Sequence, residues 1–343
     1  MSTLQGKSQL INFVRVSAPA RLHLGFLDLN GASGRRFGSI GMAIDSHQTI
    51  VEAHYSESEA SHDAPKHIQK KLKQLIDAFF SVFSKQIPLP KKHCKLVVKK
   101  LIPEHAGLGS GTQLALAVGT ALCRLYNINA GNHVIATALD RGLRSGIGIA
   151  TFNQGGFVVD GGLGSSSVTP PLLAHYTYPE EWRIVLIMES HSKGLHGKEE
   201  SKAFKSLAPF PISQSHAICH LTLMKLLPAL VEKNIDAFGQ AITDIQHLIG
   251  DHFSTVQGGR YTSDYVATLL KYASKLGYSG IAQTSWGPTG CVFVRNEEAA
   301  ALLIGKLNDF VKQHFKLETN YSILMTKANS TGAVVELGVD QTR

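Results

Sequence analysis

Residues 103–112, PEHAGLGSGT, place three glycines and two hydroxyl residues directly before the small apolar run QLALAVGTALC of residues 113–123. The preceding stretch KLVVKKLIP, residues 95–103, is predicted to be a β-strand, and the apolar run is predicted to be a helix. Glycines let a backbone approach a ligand closely, and amides at a helix N-terminus attract negative charge. The predicted phosphate-binding residues are Gly107, Leu108, Gly109, Ser110, Gly111 and Thr112. The alternative interpretation is a glycine-rich helix start that only packs tightly.

This loop differs from two common phosphate-binding motifs. No Gly-Lys-Ser/Thr follows it, as a Walker A loop would require, and no Gly-x-Gly-x-x-Gly opens a βαβ unit here. Strands and helices alternate along the chain without a strict βαβ order. The pattern therefore predicts an α+β fold and not a doubly wound sheet.

Composition narrows the classes of partner. The chain has 343 residues, of which 43% are hydrophobic and 17% charged, as in a folded protein with room for two lobes. The net charge of +8 predicts an anionic partner. The longest basic run, KHIQKKLK at residues 66–73, has no interleaved aromatic residues, so a phosphorylated metabolite is favoured over nucleic acid.

Cysteine usage and hydropathy predict a cytoplasmic protein. The four cysteines are far apart and form no C-x-x-C pair, which indicates reduced thiols. No stretch approaches the roughly 18 apolar residues of a membrane span. The proline-containing segment PPLLAHYTYPEEW, residues 170–182, is interpreted as a connector. It separates a predicted N-terminal lobe, residues 1–168, from a C-terminal lobe, residues 169–343.

Three motifs in this order resemble the GHMP kinase superfamily. Pro103 to Thr112 resembles its phosphate loop, SAPARLHLGFLDLNG (17–31) its first motif, and QTSWGPTGCVFV (283–294) its C-terminal glycine-rich motif. The resemblance implies an N-terminal lobe of the ribosomal S5 domain 2-like type and a ferredoxin-like C-terminal lobe. It also implies that the site lies between the lobes.

One departure from that family bears on the chemistry. Many of its kinases carry G-x-x-S-G-x-D, whose aspartate is the catalytic base, whereas this chain reads GLRSGIGIATFNQGG at residues 142–156. Gly148 therefore stands where the aspartate would be, and glycine cannot accept a proton. Kinase chemistry without a base stays open, since phosphoryl transfer depends largely on positioning.

Two longer stretches resemble one branch of the superfamily, the beta-ribofuranosylaminobenzene 5'-phosphate synthases. They are RLHLGFLDLNGASGRRFGSIGMAID (21–45) and RSGIGIATFNQGGFVVDGG (144–162). The resemblance implies condensation of phosphoribosyl pyrophosphate with 4-aminobenzoate, or with the 4-hydroxybenzoate analogue. Carbon dioxide and pyrophosphate would be released, in methanopterin biosynthesis. It implies Mg²⁺ and no organic cofactor. An ATP-dependent small-molecule kinase is the alternative.

Groups that suit such polyanionic substrates lie beside the glycine turns. The predicted catalytic residues are Arg21, Asp28 and Arg144. The predicted substrate-binding residues are His23, Arg36, Ser145, Lys193, His196 and Trp286. Asp28 has an equal alternative as an Asx-turn, and Trp286 as a packing residue. Metal ligands cannot be assigned from the sequence, and pairing of two copies into a homodimer stays open.

Overall fold

The computed structural model describes residues 13–56, 61–87, 94–189, 207–315 and 321–338. Two antiparallel-paired strands, β1 (Phe13–Asp28) and β2 (Phe37–Tyr55), form the centre of the first sheet. Period-two alternation in the sequence predicts two shorter strands in each of these regions, at residues 11–18 and 21–29 and again in GSIGMAI and TIVEAHY. The chain instead absorbs its irregularities as β-bulges, between Pro19 and Ala20 and between His23 and Gly25, so each strand continues.

Five more strands complete this first sheet. They are β3 (Ser61–Asp63), β4 (Cys94–Lys100), β5 (Phe157–Asp160), β6 (Leu172–Tyr176) and β11 (Val334–Gly338). The order is β11-β1-β2-β4-β3, while β5 pairs with β2 and with β6. The connector interpretation of residues 170–182 was wrong for its first half, since β6 pairs with β5 there despite the two preceding prolines.

Helices of the N-terminal half accompany this sheet. They are α1 (Lys66–Phe83), α2 (Ser110–Leu125), α3 (Asn132–Ala138) and α4 (Ile147–Gln154). Helix α2 is buried almost all round, which explains why its sequence is made of small and apolar residues. Helix α4 was not predicted, because Gly146 and Gly148 lower helix propensity at its start.

The second sheet is antiparallel and has the order β10-β7-β9-β8. Its strands are β7 (Arg183–Glu189), β8 (Ile281–Gln283), β9 (Thr289–Val294) and β10 (Tyr321–Thr326). Its helices are α5 (Ile212–Leu221), α6 (Leu227–Val231), α7 (Ile235–Gln257), α8 (Asp264–Lys275) and α9 (Glu297–His314). One π-helical turn, Thr222–Leu226, joins α5 to α6. The predicted α+β fold class is confirmed.

The apolar core runs between the two halves of the chain. One buried cluster combines Leu22 and Ile40 of the first sheet with Leu186 of the second sheet and with Phe238 and Ile245 of helix α7. The first sheet also takes β6 and β11 from beyond residue 168. The lobe boundary predicted from sequence therefore falls within the connectivity of one sheet.

Candidate active site

The predicted phosphate loop has a conformation that glycine permits. Gly107 and Gly109 have φ angles of 79° and 83°, in the left-handed region. Gly109 directly precedes helix α2, and no side chain caps this helix start. Ser110 and Gly111 occupy the first turn, where amides have no intrahelical acceptor. This end of α2 therefore presents backbone donors and the positive end of the helix dipole to an anion.

Tight packing, the alternative interpretation, applies to part of the same loop. A Cβ on Gly107 would lie 2.3 Å from the carbonyl oxygen of Thr284, and a Cβ on Gly287 would lie 2.4 Å from Cα of Gly107. The side chain of Leu108 is buried in the core. At Gly111 the nearest atom to a Cβ would be Nζ of Lys71, at 3.6 Å. The loop thus packs through Gly107 and is open at Gly111, beside a lysine.

Arg21 connects this loop to strand β1. Its guanidinium donates to the carbonyl oxygen of Gly107, and its backbone amide donates to the carbonyl oxygen of Leu108 at 3.1 Å. A Cβ on Gly109 would lie 2.9 Å from Cγ of Arg21. The charge of Arg21 therefore lies against the loop and adds to the positive field at the start of α2.

His23 lies two residues further along the same strand and is only 5% exposed. Its backbone is held on both sides by the C-terminal glycine-rich segment. The His23 amide donates to Oγ1 of Thr284 at 3.0 Å, and the Ser285 amide donates to the His23 carbonyl at 2.9 Å. Burial, then the charges of Arg21 and Arg144, lower the pKa of His23 to about 3, so the imidazole is neutral at ordinary pH.

A large cavity of about 510 Å³ lies next to this cluster. It brings together two of the predicted arginines, Arg36 and Arg144, which the sequence separates by more than a hundred residues. The guanidinium of Arg36 lies over the ring of Phe37, at 5.4 Å from its centroid. The remaining lining residues are Leu29, Asn30, Leu207, Ala208, Pro209, Phe210, His252 and Phe253. The cavity thus combines two cations with an aromatic wall.

A smaller cavity of about 40 Å³ shares Phe253 with the large one. It contains two more of the predicted substrate-binding residues, His23 and Trp286. Trp286 is buried and packs edge to face on Phe253, with ring centroids 4.7 Å apart. The other polar lining residues are Gln246, Gln257, Gln283, Ser285 and Arg260, whose guanidinium is paired with Asp251. Trp286 therefore has the packing role that was its alternative interpretation. It also lines a cavity, and its contact with substrate stays a prediction.

Asp28 is engaged in the local turn that was its alternative interpretation. Its Oδ1 accepts hydrogen bonds from the amides of Asn30 and Gly31, at 2.8 and 3.0 Å, and from Oγ of Ser215 at 2.8 Å. Its Oδ2 accepts only a long bond from Oγ of Ser33, at 3.5 Å, among the described residues. One carboxylate oxygen of Asp28 is therefore largely uncommitted.

Ser145 and Gly148 lie at the start of helix α4. Oγ of Ser145 donates to Asp160 at 3.3 Å and accepts from the Ile147 amide at 3.2 Å, so this hydroxyl has a local structural role. A Cβ on Gly148 would lie 2.8 Å from Cγ2 of Thr112. The position of the missing kinase base is therefore in contact with the phosphate loop, and the chain fills this space with the threonine methyl group.

Lys193 and His196 lie outside the described residues. Within the part of the chain that the structure describes, no cluster of three or more His, Cys, Asp or Glu residues could hold a metal ion. In the same part, no helix is both long and apolar enough to cross a bilayer.

Sequence reasoning missed the aromatic wall of the cavities. Phe37 lies inside a quoted motif but was not singled out, and neither were Phe210, His252 and Phe253. The buried face of helix α7 also carries Phe238, so no local signal distinguishes Phe253 from a core residue.

Comparisons with known proteins agree with this geometry. Residues 70–156 match the GHMP kinases N terminal domain, and residues 226–313 match the family described as GHMP kinases C terminal. A beta-ribofuranosylphenol 5'-phosphate synthase from Methanocaldococcus jannaschii is 34% identical over 338 residues, covering 92% of this chain and 98% of its own. A protein of the same name from Archaeoglobus fulgidus is 32% identical over 337 residues, covering 94% and 100%.

Solved structures share the fold. A homoserine kinase from Cytophaga hutchinsonii aligns with a TM-score of 0.68 at 16% identity, over 98% of this chain and 100% of its own. A mevalonate diphosphate decarboxylase from Staphylococcus aureus aligns with a TM-score of 0.66 at 14% identity, over 95% and 98%. At such identities the likeness shows the fold alone.

Proposed function

The chain belongs to the beta-ribofuranosylphenol 5'-phosphate synthase family, which has GHMP kinase domains, and we propose that it condenses phosphoribosyl pyrophosphate with 4-hydroxybenzoate. It is accordingly an enzyme of methanopterin biosynthesis, the pathway that the sequence resemblance implied. The phenol in the relatives' name favours the hydroxy acid over 4-aminobenzoate as the acceptor.

One observation carries this proposal. The 510 Å³ cavity combines the guanidinium groups of Arg36 and Arg144 with the rings of Phe37, Phe210 and Phe253. A kinase acting on a small alcohol needs a phosphate site but no aromatic wall. A condensation of a sugar phosphate with a benzoate needs both, since guanidinium groups pair with phosphate and carboxylate while rings pack on rings.

The reaction can be written with its electrons balanced. The ring carbon that carries the carboxylate forms a bond to the anomeric carbon of the sugar. The bond from the anomeric carbon to pyrophosphate breaks, and its electron pair leaves on the pyrophosphate oxygen. The bond from the ring to the carboxylate then breaks, its electrons return to the ring, and carbon dioxide leaves. No oxidant or covalent enzyme intermediate is required.

The residues of the cluster suit the charges that this reaction moves. Negative charge grows on the departing pyrophosphate, and Arg21 and the first-turn amides of α2 lie where they would stabilise it. Arg36 and Arg144 would bind the 5'-phosphate and the carboxylate in the large cavity. Many kinases of the superfamily have an aspartate as base where this chain has Gly148, so this position offers no carboxylate for phosphoryl transfer.

Mg²⁺ fits this donor set as an ion that arrives with the diphosphate. Such ions keep several waters and bind through one or two carboxylates together with phosphate oxygens. Oδ2 of Asp28, next to the lining residues Leu29 and Asn30, is a free carboxylate oxygen of this kind. When bound, the ion would neutralise charge on the leaving group. The protein's own part is to hold Asp28 fixed through the turn and Ser215.

An ATP-dependent kinase is the second candidate, and the loop favours it. The start of α2 keeps its open amides, with Lys71 beside Gly111. This candidate predicts transfer of the γ-phosphate of ATP to a small alcohol. The condensation predicts no role for ATP.

Product analysis distinguishes the two candidates. Purified protein is incubated with phosphoribosyl pyrophosphate, Mg²⁺ and either 4-hydroxybenzoate or 4-aminobenzoate. The products are identified by mass spectrometry. We expect a ribofuranosylphenol 5'-phosphate from the hydroxy acid, formed without ATP. If neither acid gives a decarboxylated ribosyl product, the proposed function is wrong.

A cytoplasmic location, the lack of an organic cofactor, weak binding of nucleic acid and a homodimer remain predictions.

A further inference from the structure

One buried polar atom beside the site takes part in none of the contacts described above. Nε2 of His23 is buried and has no hydrogen-bond partner within the described ranges, although the backbone of the same residue is bonded on both sides. A buried polar atom without a partner is costly and is rare in folded proteins. Because His23 lines the small cavity, its unpaired ring nitrogen points to a ligand that supplies the missing bond.

The protonation of the ring defines what kind of ligand group this is. Burial and two nearby guanidinium groups lower the pKa of His23, so the imidazole is neutral. A neutral imidazole has one donor nitrogen and one acceptor nitrogen. With the acceptor at Nε2, where a lone pair is stabilised by the nearby positive charges of Arg21 and Arg144, the ligand must bring an O–H or N–H donor.

The surroundings select an aromatic ligand. The His23 ring packs edge to face on Phe26 at 4.7 Å, and Trp286 packs edge to face on Phe253 at 4.7 Å. All four residues line the small cavity. Its volume of about 40 Å³ accommodates a hydroxyl group and the adjoining edge of a ring, but not a whole ring. The rest of the ring would extend past Phe253 into the large cavity.

The strand holds His23 in this orientation. A β-bulge between His23 and Gly25 interrupts the register of β1, and bulges of this kind redirect side chains. A Cβ on Gly25 would lie 2.5 Å from Cδ1 of Ile249, so glycine allows helix α7 to pack close behind the histidine. The imidazole is therefore fixed before any ligand binds.

We propose that His23 is a catalytic residue that accepts a hydrogen bond from the para-hydroxyl of the aromatic acceptor and takes its proton as the ring attacks the anomeric carbon. This inference rests on the proposed function. When the new carbon–carbon bond forms, positive charge spreads to the para oxygen, and the O–H becomes strongly acidic. Transfer of that proton to Nε2 leaves a neutral dienone that still carries the carboxylate. Loss of carbon dioxide then places electrons on the para oxygen, which takes the proton back from His23.

The same contact determines how the acceptor is oriented. With the hydroxyl at His23, the carboxylate end of the ring would extend past Phe253, which lines both cavities, towards Arg36 and Arg144. That end is the one that must meet the sugar. A benzoate without a para donor would leave Nε2 unpaired and would bind weakly.

Ligand binding tests this contact without turnover. The affinities of 4-hydroxybenzoate and 4-fluorobenzoate, which are similar in size, are measured by calorimetry in the presence of pyrophosphate and Mg²⁺. We expect the wild-type protein to prefer the hydroxy acid by roughly 10-fold to 100-fold. Equal affinities would overturn the inference, whether or not the protein turns over.

Variants test the proton transfer. We expect His23→Phe to abolish the preference between the two benzoates and to lower kcat/KM for 4-hydroxybenzoate by roughly 100-fold or more, while pyrophosphate affinity is unchanged. His23→Gln, which restores an acceptor near Nε2, should recover part of the preference. His62→Phe is the matched control, because Nδ1 of His62 is likewise buried and unpartnered, but His62 lies on β3 and lines neither cavity.

The failures can be told apart. If the wild-type protein makes no carbon dioxide, the proposed function is wrong. If it does and His23→Phe keeps both its turnover and its preference for the hydroxy acid, the role of His23 is wrong. A loss of turnover in His62→Phe equal to that in His23→Phe would also contradict a specific role.

Discussion

Arg144 affects two parts of the candidate site, the large cavity and His23. It lines the cavity, and its charge contributes to lowering the pKa of His23. We expect Arg144→Ala to weaken binding of phosphoribosyl pyrophosphate by roughly 10-fold to 100-fold, since a charged hydrogen bond is lost. Arg35→Ala is the matched control, because its guanidinium is exposed and donates to the carbonyls of Gly161 and Gly162. Calorimetry that gives equal losses for both variants would remove Arg144 from the site.

His23 also predicts how stability depends on pH. Its pKa is about 3 in the folded protein and near 6.5 when unfolded, so the unfolded chain binds a proton first as the pH falls. Stability from this residue is therefore complete above pH 6.5 and is lost progressively toward pH 3. We expect the difference in unfolding free energy between wild type and His23→Phe to change by about 2 kcal/mol between roughly pH 7 and pH 5. Urea unfolding at the two pH values measures it, and an unchanged difference would contradict the buried neutral state.

Gly148 shows that the missing kinase base is also a packing feature. A side chain there would meet Cγ2 of Thr112 at 2.8 Å. We expect Gly148→Ala to destabilise the protein by about 1 kcal/mol, because overpacking outweighs the gain in helix propensity. In a Thr112→Ser background, which lacks that methyl group, the same substitution should be neutral or stabilising. A double-mutant cycle from urea unfolding measures the coupling, and simple additivity would show that the contact is unimportant.

At the scale of elements, the loop before α2 depends on its glycines to different degrees. Gly107 and Gly34 both have φ angles near 80°, but only Gly107 faces backbone atoms at close range. We expect Gly34→Ala to cost about 1 kcal/mol and Gly107→Ala at least about 2 kcal/mol more, because the carbonyl of Thr284 cannot move aside cheaply. Thermal unfolding compares the two. Equal costs would mean that the loop and the Thr284–Gly287 segment are not tightly joined.

The sequence pattern predicted most elements because their signals are local. Helical spacing of apolar residues predicts a helix over residues 297–314, and helix α9 has these bounds, with an asparagine cap and acidic residues in its first turn. Helix α4 and strand β6 were missed because glycines and prolines near them resemble turns, while tertiary pairing overrides those local preferences. The glycines of the loop before α2 were singled out from the sequence, and phosphate binding by this loop stays a prediction. The inward packing of Gly107 on Thr284 depends on a contact 177 residues away and could not be predicted.

At the scale of the whole molecule, the site is assembled from distant segments. The large cavity takes residues from four regions: 29–37, 144, 207–210 and 252–253. The arginines among them were predictable, since cations beside glycine turns suit anions wherever the chain places them. The aromatic wall was not, because a phenylalanine on an amphipathic helix gives the same signal whether it lines a core or a cavity.

Part of the positive charge behind the net value of +8 is carried by arginines of the candidate site. Arg36 and Arg144 line the large cavity and Arg21 contacts the loop before α2, the places where we propose that a pyrophosphate, a 5'-phosphate and a carboxylate bind. Much of the remaining basic charge lies in exposed lysines such as Lys66, Lys70 and Lys73 on helix α1, where no aromatic platform for bases is present among the described residues. A polyanionic small molecule therefore stays the predicted partner for this charge.

The release of carbon dioxide tests the central claim most directly. Protein, Mg²⁺, phosphoribosyl pyrophosphate and carboxyl-labelled 4-hydroxybenzoate are combined, and labelled carbon dioxide and pyrophosphate are counted in the same reaction. We expect labelled carbon dioxide and pyrophosphate to appear in equal amounts and without ATP. Labelled γ-phosphate moving from ATP to a small alcohol, with no carbon dioxide released from the benzoate, would contradict it.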